Sequence, residues 1–134
     1  MFHDSIKMFP QFIRKVLHEH DISGLNLDIN KTQTKIIMFV YENSEKAMSE
    51  ISLMTGLEKS SFTRSVDYLV KNGFLLKNSP EKDRRKIHLS LTGKGINAAK
   101  LIKSDLDIYF ESLLADFSEK EKTEFFKSLN TVLK

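Results

Sequence analysis

The 134-residue chain contains no cysteine and only two prolines and five glycines. The first absence excludes a disulfide framework, a thiolate nucleophile, cysteine-ligated zinc and thiol redox sensing. The scarcity of proline and glycine excludes collagen-like repeats and a loop-rich mini-protein. Ten phenylalanines and three tyrosines provide the large apolar side chains that disordered chains lack. The longest apolar run, Ile36 to Tyr41, falls far short of the roughly 20 residues a membrane-spanning helix needs, and the opening MFHDSIKMFPQF has no signal-peptide core. The expectation is therefore a soluble, cytoplasmic, mostly helical protein of about one domain's size, with 40% apolar and 29% charged residues.

Chemistry-bearing motifs are missing as well. The chain has no glycine-rich phosphate loop, no nucleophile elbow and no metal-ligand cluster, so it reads as neither an enzyme nor a cofactor protein. His18, Glu19 and His20 stand in a row, but positions i and i+2 of a helix point about 200° apart and cannot share one ion unaided. A solvated or dimer-contacting pair is the reading there, with no metal.

Charge is what the sequence distributes unevenly. The formal net charge is +3, yet Lys59 to Lys94 holds nine Lys or Arg against three Asp or Glu, a net of +6, which leaves −3 for the rest. A cationic stretch in an otherwise acidic chain suits a phosphate-facing surface, because neutralising nucleic-acid charge releases counterions. A solvated basic face accounts for the charge equally well, so the order of elements has to decide.

Apolar residues recur at helical spacing from Phe2 through Ile6, Phe9, Ile13 and Val16, with Pro10 marking either a helix start or a kink. Asn30 and Gln33 have the spacing of a capping box that opens a helix ending near Asn43. A short helix from about Ser49 stops at Gly56. The next runs from about Lys59 to Asn72, buries Phe62, Val66, Leu69 and Val70, and stops at Gly73. Its other face carries Lys59, Ser60, Ser61, Thr63, Arg64 and Asp67, so the two helices and their turn form a helix-turn-helix pattern.

After Gly73 the period changes to two. Phe74, Leu75 and Leu76 enter one strand, while Ile87, Leu89 and Leu91 alternate with His88 and Ser90 in another, across the polar connection NSPEKDRRK. A hairpin directly after a helix-turn-helix is a wing, and its tip residues Arg84 and Arg85 could reach the electronegative minor groove. His88 is expected at the surface or facing DNA. Thr92 can cap a helix with a seam at Ala99, Ile102, Leu106, Tyr109 and Leu113, and Ser118 with Glu121 opens a last helix bearing Phe125, Leu129 and Val132. These terminal helices hold more apolar surface than a small winged domain covers, which calls for a second copy. Packing of the first and last helices within one chain is the alternative.

The segments ISLMTGLEKSSFTRSVDYLVKNGFLL and DRRKIHLSLTGKG resemble the MarR family of winged-helix transcriptional regulators, with the likeness beginning near INKTQTKII. By that resemblance Ser60, Ser61, Thr63 and Arg64 meet base edges and phosphates in the major groove. Asp83 orients Arg85 for the minor groove, and Arg84 and Lys86 contact backbone phosphates. Where the family often has serine at the recognition-helix N-cap this chain has Glu58, whose carboxylate favours a helix N-terminus but repels phosphate. The wing is also short. The family's habit of binding small aromatic or amphipathic effectors points to Phe9, Phe12 and Phe39, for which ordinary core packing is the competing explanation.

The resulting expectation is mainly α with a small β-hairpin. Residues 1–29 form an N-terminal dimerisation helix, 30–95 a winged helix-turn-helix DNA-binding lobe, and 96–134 the C-terminal dimerisation helices. The function expected is a homodimeric, sequence-specific repressor of a pseudo-palindromic operator on double-stranded DNA. The alternative is a winged-helix adaptor that binds protein through its exposed apolar helices.

Overall fold

A computed structural model describes residues 2–17, 19–79 and 85–134, apart from the side chains of residues 2–6 and 17. Along the chain lie α1 (Phe2–Leu17), α2 (Lys31–Glu42), α3 (Met48–Thr55), α4 (Lys59–Lys71), β1 (Leu75–Asn78), β2 (His88–Leu91), α5 (Gly93–Leu113) and α6 (Glu119–Leu133), with a 3₁₀ turn at Ser23–Leu25. The mainly helical class with one hairpin is the one expected.

Local chemistry sets most boundaries. Asn30 accepts from the Gln33 N–H at 2.8 Å while the Gln33 side chain accepts from the Asn30 N–H at 2.9 Å, so α2 starts on a complete capping box. Gly56 ends α3 at φ +68° and Gly73 follows α4 at φ +80°, backbone conformations that cost an L side chain energy. Helix α1 runs through Pro10 without a break in its assignment, so the proline lies inside the helix rather than at its start.

The chain divides into two compact units, Ile22–Ser104 on one hand and Met1–Asp21 with Asp105–Lys134 on the other. In the first, α2 contributes Ile36, Ile37 and Val40 to a core shared with Ile51 of α3 and Phe62, Val66 and Leu69 of α4. The core is completed by Phe74, Leu75 and Leu89 of the hairpin region and by Ala98, Ala99 and Ile102 of α5. Strands β1 and β2 pair antiparallel with Leu75 opposite Leu91 and Asn78 opposite His88. The Met48 N–H donates to the Ile87 carbonyl at 2.7 Å, and an isolated bridge joins Ala47 to His88, so the segment before α3 acts as a third, minimal strand. That pairing uses Ile87 for its backbone and leaves its side chain 41% exposed, against the buried position that alternation predicts. Val70, expected in the buried stripe, is half-buried, while Ser65 is buried.

In the second unit α6 opens on the expected capping box, Ser118 with Glu121. The hydrogen bond from the Ser118 backbone N–H, and then that with its hydroxyl, hold the Glu121 carboxyl below the ordinary glutamate range. The stabilisation of this first turn is present above that ordinary range and is lost as the pH falls through the lowered value. His20 lies beyond the end of α1 and is half-buried: its Nε2 bonds Oδ2 of Asp105, and its ring stacks on Tyr109 at 4.2 Å. The Tyr109 hydroxyl in turn donates to the Lys15 carbonyl. His18 lies outside the described residues.

Candidate nucleic-acid interface

Helix α4 presents its polar face because its apolar positions are taken by the core. With Phe62, Val66 and Leu69 turned inward, residues at the complementary three- and four-residue spacings, Ser60, Thr63, Arg64 and Asp67, are exposed along one outer face. Ser61 falls off this line and is half-buried. Thr63 donates its hydroxyl to the Lys59 carbonyl at 2.9 Å, which holds the side chain against the helix. Arg64 carries its guanidinium on the exposed face, where bidentate recognition of a base or phosphate is open to it.

The N-cap explains how a glutamate is accommodated. The Glu58 side chain makes no hydrogen bond to the helix backbone. Instead its Oε1 accepts from the Ser60 hydroxyl at 2.9 Å, so the carboxylate takes up the one proton that this hydroxyl could donate to a phosphate. Farther along, Lys77 of β1 pairs with Asp67 of α4 at 3.0 Å, which neutralises one of the segment's positive charges and ties the wing's first strand to the recognition helix. On the wing, Arg85 and Lys86 are exposed at the end of the described connection. Asp83 and Arg84 lie outside the described residues, so the orienting role expected of Asp83 has no geometry to report.

The end of α4 is bound by residues that the sequence reading valued for other reasons. The Phe74 N–H reaches the Leu69 carbonyl at 2.8 Å and the Gly73 N–H the Val70 carbonyl at 3.1 Å, a Schellman stop. Lys94, counted above as a phosphate-facing charge, donates to the Asn72 carbonyl at 2.9 Å and lies 4.4 Å from the Phe74 ring centroid. Thr92 caps α5 as expected, accepting from the Gly95 N–H at 3.0 Å, and also donates its hydroxyl to the Gly73 carbonyl. Tyr68 of α4 donates to the Asp28 carbonyl at 2.7 Å, forty positions away, with no local signal in the sequence to announce it.

Two open clefts of about 650 and 610 Å³ flank the segment Asn26–Asp28. The first includes Gln33 and Tyr68 in its lining, the second Phe74, Lys94 and Leu101. The three phenylalanines singled out for an effector line neither cleft. Phe9 and Phe12 lie on α1, 63% and 44% exposed, and Phe39 is half-buried in the other unit. Among the described residues no group of three or more acidic or histidine side chains is placed to hold a metal ion, and no helix is long and apolar enough to cross a membrane.

Comparison with known proteins joins these features. Residues 27–86 match the model of the MarR family. The chain is 23% identical over 111 residues to the HTH-type transcriptional repressor YetL of Bacillus subtilis, covering 83% of this chain and 66% of that protein. It is 29% identical over 107 residues to the HTH-type transcriptional regulator SarZ of Staphylococcus haemolyticus, covering 79% and 71%. In fold it is similar to Streptococcus pneumoniae FabT, solved in complex with DNA, with a TM-score of 0.77 and 23% identity over 99% of this chain and 95% of that one. A helix-turn-helix with its polar face outward, a hairpin bearing adjacent cations and the match over residues 27–86 agree, and together they support a winged helix-turn-helix regulator of the MarR type.

Proposed function

We propose that the chain is a sequence-specific DNA-binding transcriptional repressor, acting in the cytoplasm as a homodimer on a pseudo-palindromic operator. The observation that carries this reading is the outward face of α4, where Ser60, Thr63 and Arg64 stand exposed beside a wing that ends in Arg85 and Lys86. Ser60, Ser61, Thr63 and Arg64 serve the major groove. Arg85, oriented by Asp83, serves the minor groove, and Arg84 and Lys86 serve phosphates. Relatives named as a transcriptional repressor and a transcriptional regulator, and a DNA complex of a protein with the same fold, support it.

Dimerisation is assigned to the helices at the two ends of the chain, residues 1–29 and 96–134, around a DNA-binding lobe of 30–95. The unit formed by the chain ends contains none of the fully buried residues among those described, and α6 leaves Val132 77% exposed. A helical unit without a buried core of its own acquires one by pairing with a second copy. Phe9 and Phe12, with ring surface open on α1, and Phe39 are the residues proposed to meet a small aromatic or amphipathic effector. Such a molecule releases DNA by binding better to a dimer whose recognition helices are wrongly spaced. An adaptor role would use the same apolar surface but gives no reason for the cationic wing.

Arg85→Ala tests the wing. Binding isotherms measured across several salt concentrations are expected to show weaker binding and a shallower log–log slope, because a cation held in the electronegative minor groove also displaces counterions. Wild-type affinity at every salt concentration would remove the wing from the interface.

A further inference from the structure

Three successive carbonyls follow the last turn of α4, and each is bound by the start of α5. The Asn72 carbonyl accepts from Lys94 Nζ, the Gly73 carbonyl from the Thr92 hydroxyl, and the Phe74 carbonyl from the Thr92 N–H at 3.1 Å. The Schellman stop satisfies carbonyls inside α4 but leaves these three, so without Thr92 and Lys94 they would turn to water. The fit is close. A Cβ on Gly73 would lie 4.0 Å from Cδ of Lys94, so the lysine stem runs beside the glycine before its ammonium reaches Asn72. The ammonium meets the negative end of the helix dipole and lies near the Phe74 ring, two attractions that favour the same place.

Resting on the DNA-binding reading above, we infer that Thr92 and Lys94 are positioning residues for operator recognition: they clamp the C-terminal end of α4 to α5 and so set the angle at which Ser60, Thr63 and Arg64 meet base edges. Lys94 does this instead of neutralising a phosphate, although it belongs to the most basic stretch of the chain. Base contacts depend on direction and phosphate contacts tolerate error. A loosened clamp therefore lowers affinity for the correct sequence and spares binding to any other. Tyr68, holding the Asp28 carbonyl from the same half of α4, gives the helix a second anchor, so removal of Lys94 alone loosens the helix without freeing it.

The experiment compares the 134-residue chain with its Lys94→Met and Lys94→Arg variants. It uses two duplexes, one selected from random-sequence DNA by the wild-type protein and one of the same composition with the order scrambled, each titrated at several salt concentrations. Lys94→Met is expected to bind the selected duplex about tenfold more weakly, toward the lower end of what loss of one base contact costs. Its affinity for the scrambled duplex and its salt slope should stay at wild-type values, and Lys94→Arg should recover most of the loss. A slope shallower by about 0.9 on both duplexes would make Lys94 a phosphate contact and overturn the inference. A lowered melting temperature with unchanged preference for the selected duplex would reduce the clamp to a stabilising contact and overturn it as well. Failure of the wild-type chain to prefer any duplex defeats the DNA-binding reading itself, and the clamp with it, an outcome distinct from the other two.

Discussion

Gly95→Ala is expected to lower the melting temperature by roughly 10 °C, on the order of 3 kcal/mol of stability for a chain of this size. A methyl group built on Gly95 would overlap the carbonyl oxygen of Phe74 and come within 3.0 Å of Cδ2 of Leu91 and 3.1 Å of the Phe74 carbonyl carbon. Two of these neighbours are backbone atoms, which cannot rotate aside. That carbonyl oxygen is also the acceptor for the Thr92 N–H, so moving it away breaks a hydrogen bond at the cap of α5. Gly95 is a residue of close approach: its φ is ordinary, and what it supplies is the absence of a side chain where α5 crosses the turn behind α4. Thermal unfolding followed by circular dichroism measures the effect, and an unchanged midpoint would show that the α5 start can shift without penalty. Gly93, two positions before Gly95 and with nothing within 4 Å of a Cβ built there, is the matched control, and its alanine variant should melt within a few degrees of the wild type.

Arg64→Ala is expected to weaken binding to the selected operator about 5- to 150-fold, the equivalent of roughly 1–3 kcal/mol for a base contact, while leaving the melting temperature near its wild-type value. The side chain is exposed on α4 and turned away from the core formed by Phe62, Val66 and Leu69, so nothing in the interior depends on it. Its guanidinium is the exposed face's only group with a fork of donors, and Arg64→Lys should recover little, because an ammonium cannot reproduce two parallel hydrogen bonds. Competition binding against single-base variants of the operator is the decisive measurement. Discrimination should collapse at one position per half-site, whereas a loss spread evenly over all sequences would place Arg64 on the phosphate backbone.

The parts of this molecule that could be read in the sequence are those whose chemistry is local. Asn30 with Gln33 and Ser118 with Glu121 announce two helix starts because both partners of each capping box lie within one turn. Gly56 and Gly73 announce two stops, since few other residues accept their backbone angles. The 3.6 period of Phe62, Val66 and Leu69 places Ser60, Thr63 and Arg64 outward with no further information. Contacts made at long range were not legible. Ile87 follows the strand alternation, but its carbonyl is recruited by the Met48 N–H and its side chain stays exposed. His20 reads as half of a histidine pair on a helix, yet α1 ends at Leu17 and the imidazole finds Asp105, 85 positions on. Lys94 reads as one more cation until the fold brings it to the Asn72 carbonyl. Charge patterning counts lysines but cannot tell a lysine committed to a helix end from one left for a phosphate.

Footprinting of the purified chain on its selected duplex at low salt tests the dimeric operator reading most directly. Two protected patches related by a dyad, with centres about one helical turn or roughly 34 Å apart, are the expected result. A single patch without symmetry, or a duplex left unprotected at protein concentrations that saturate a basic control peptide, would contradict it.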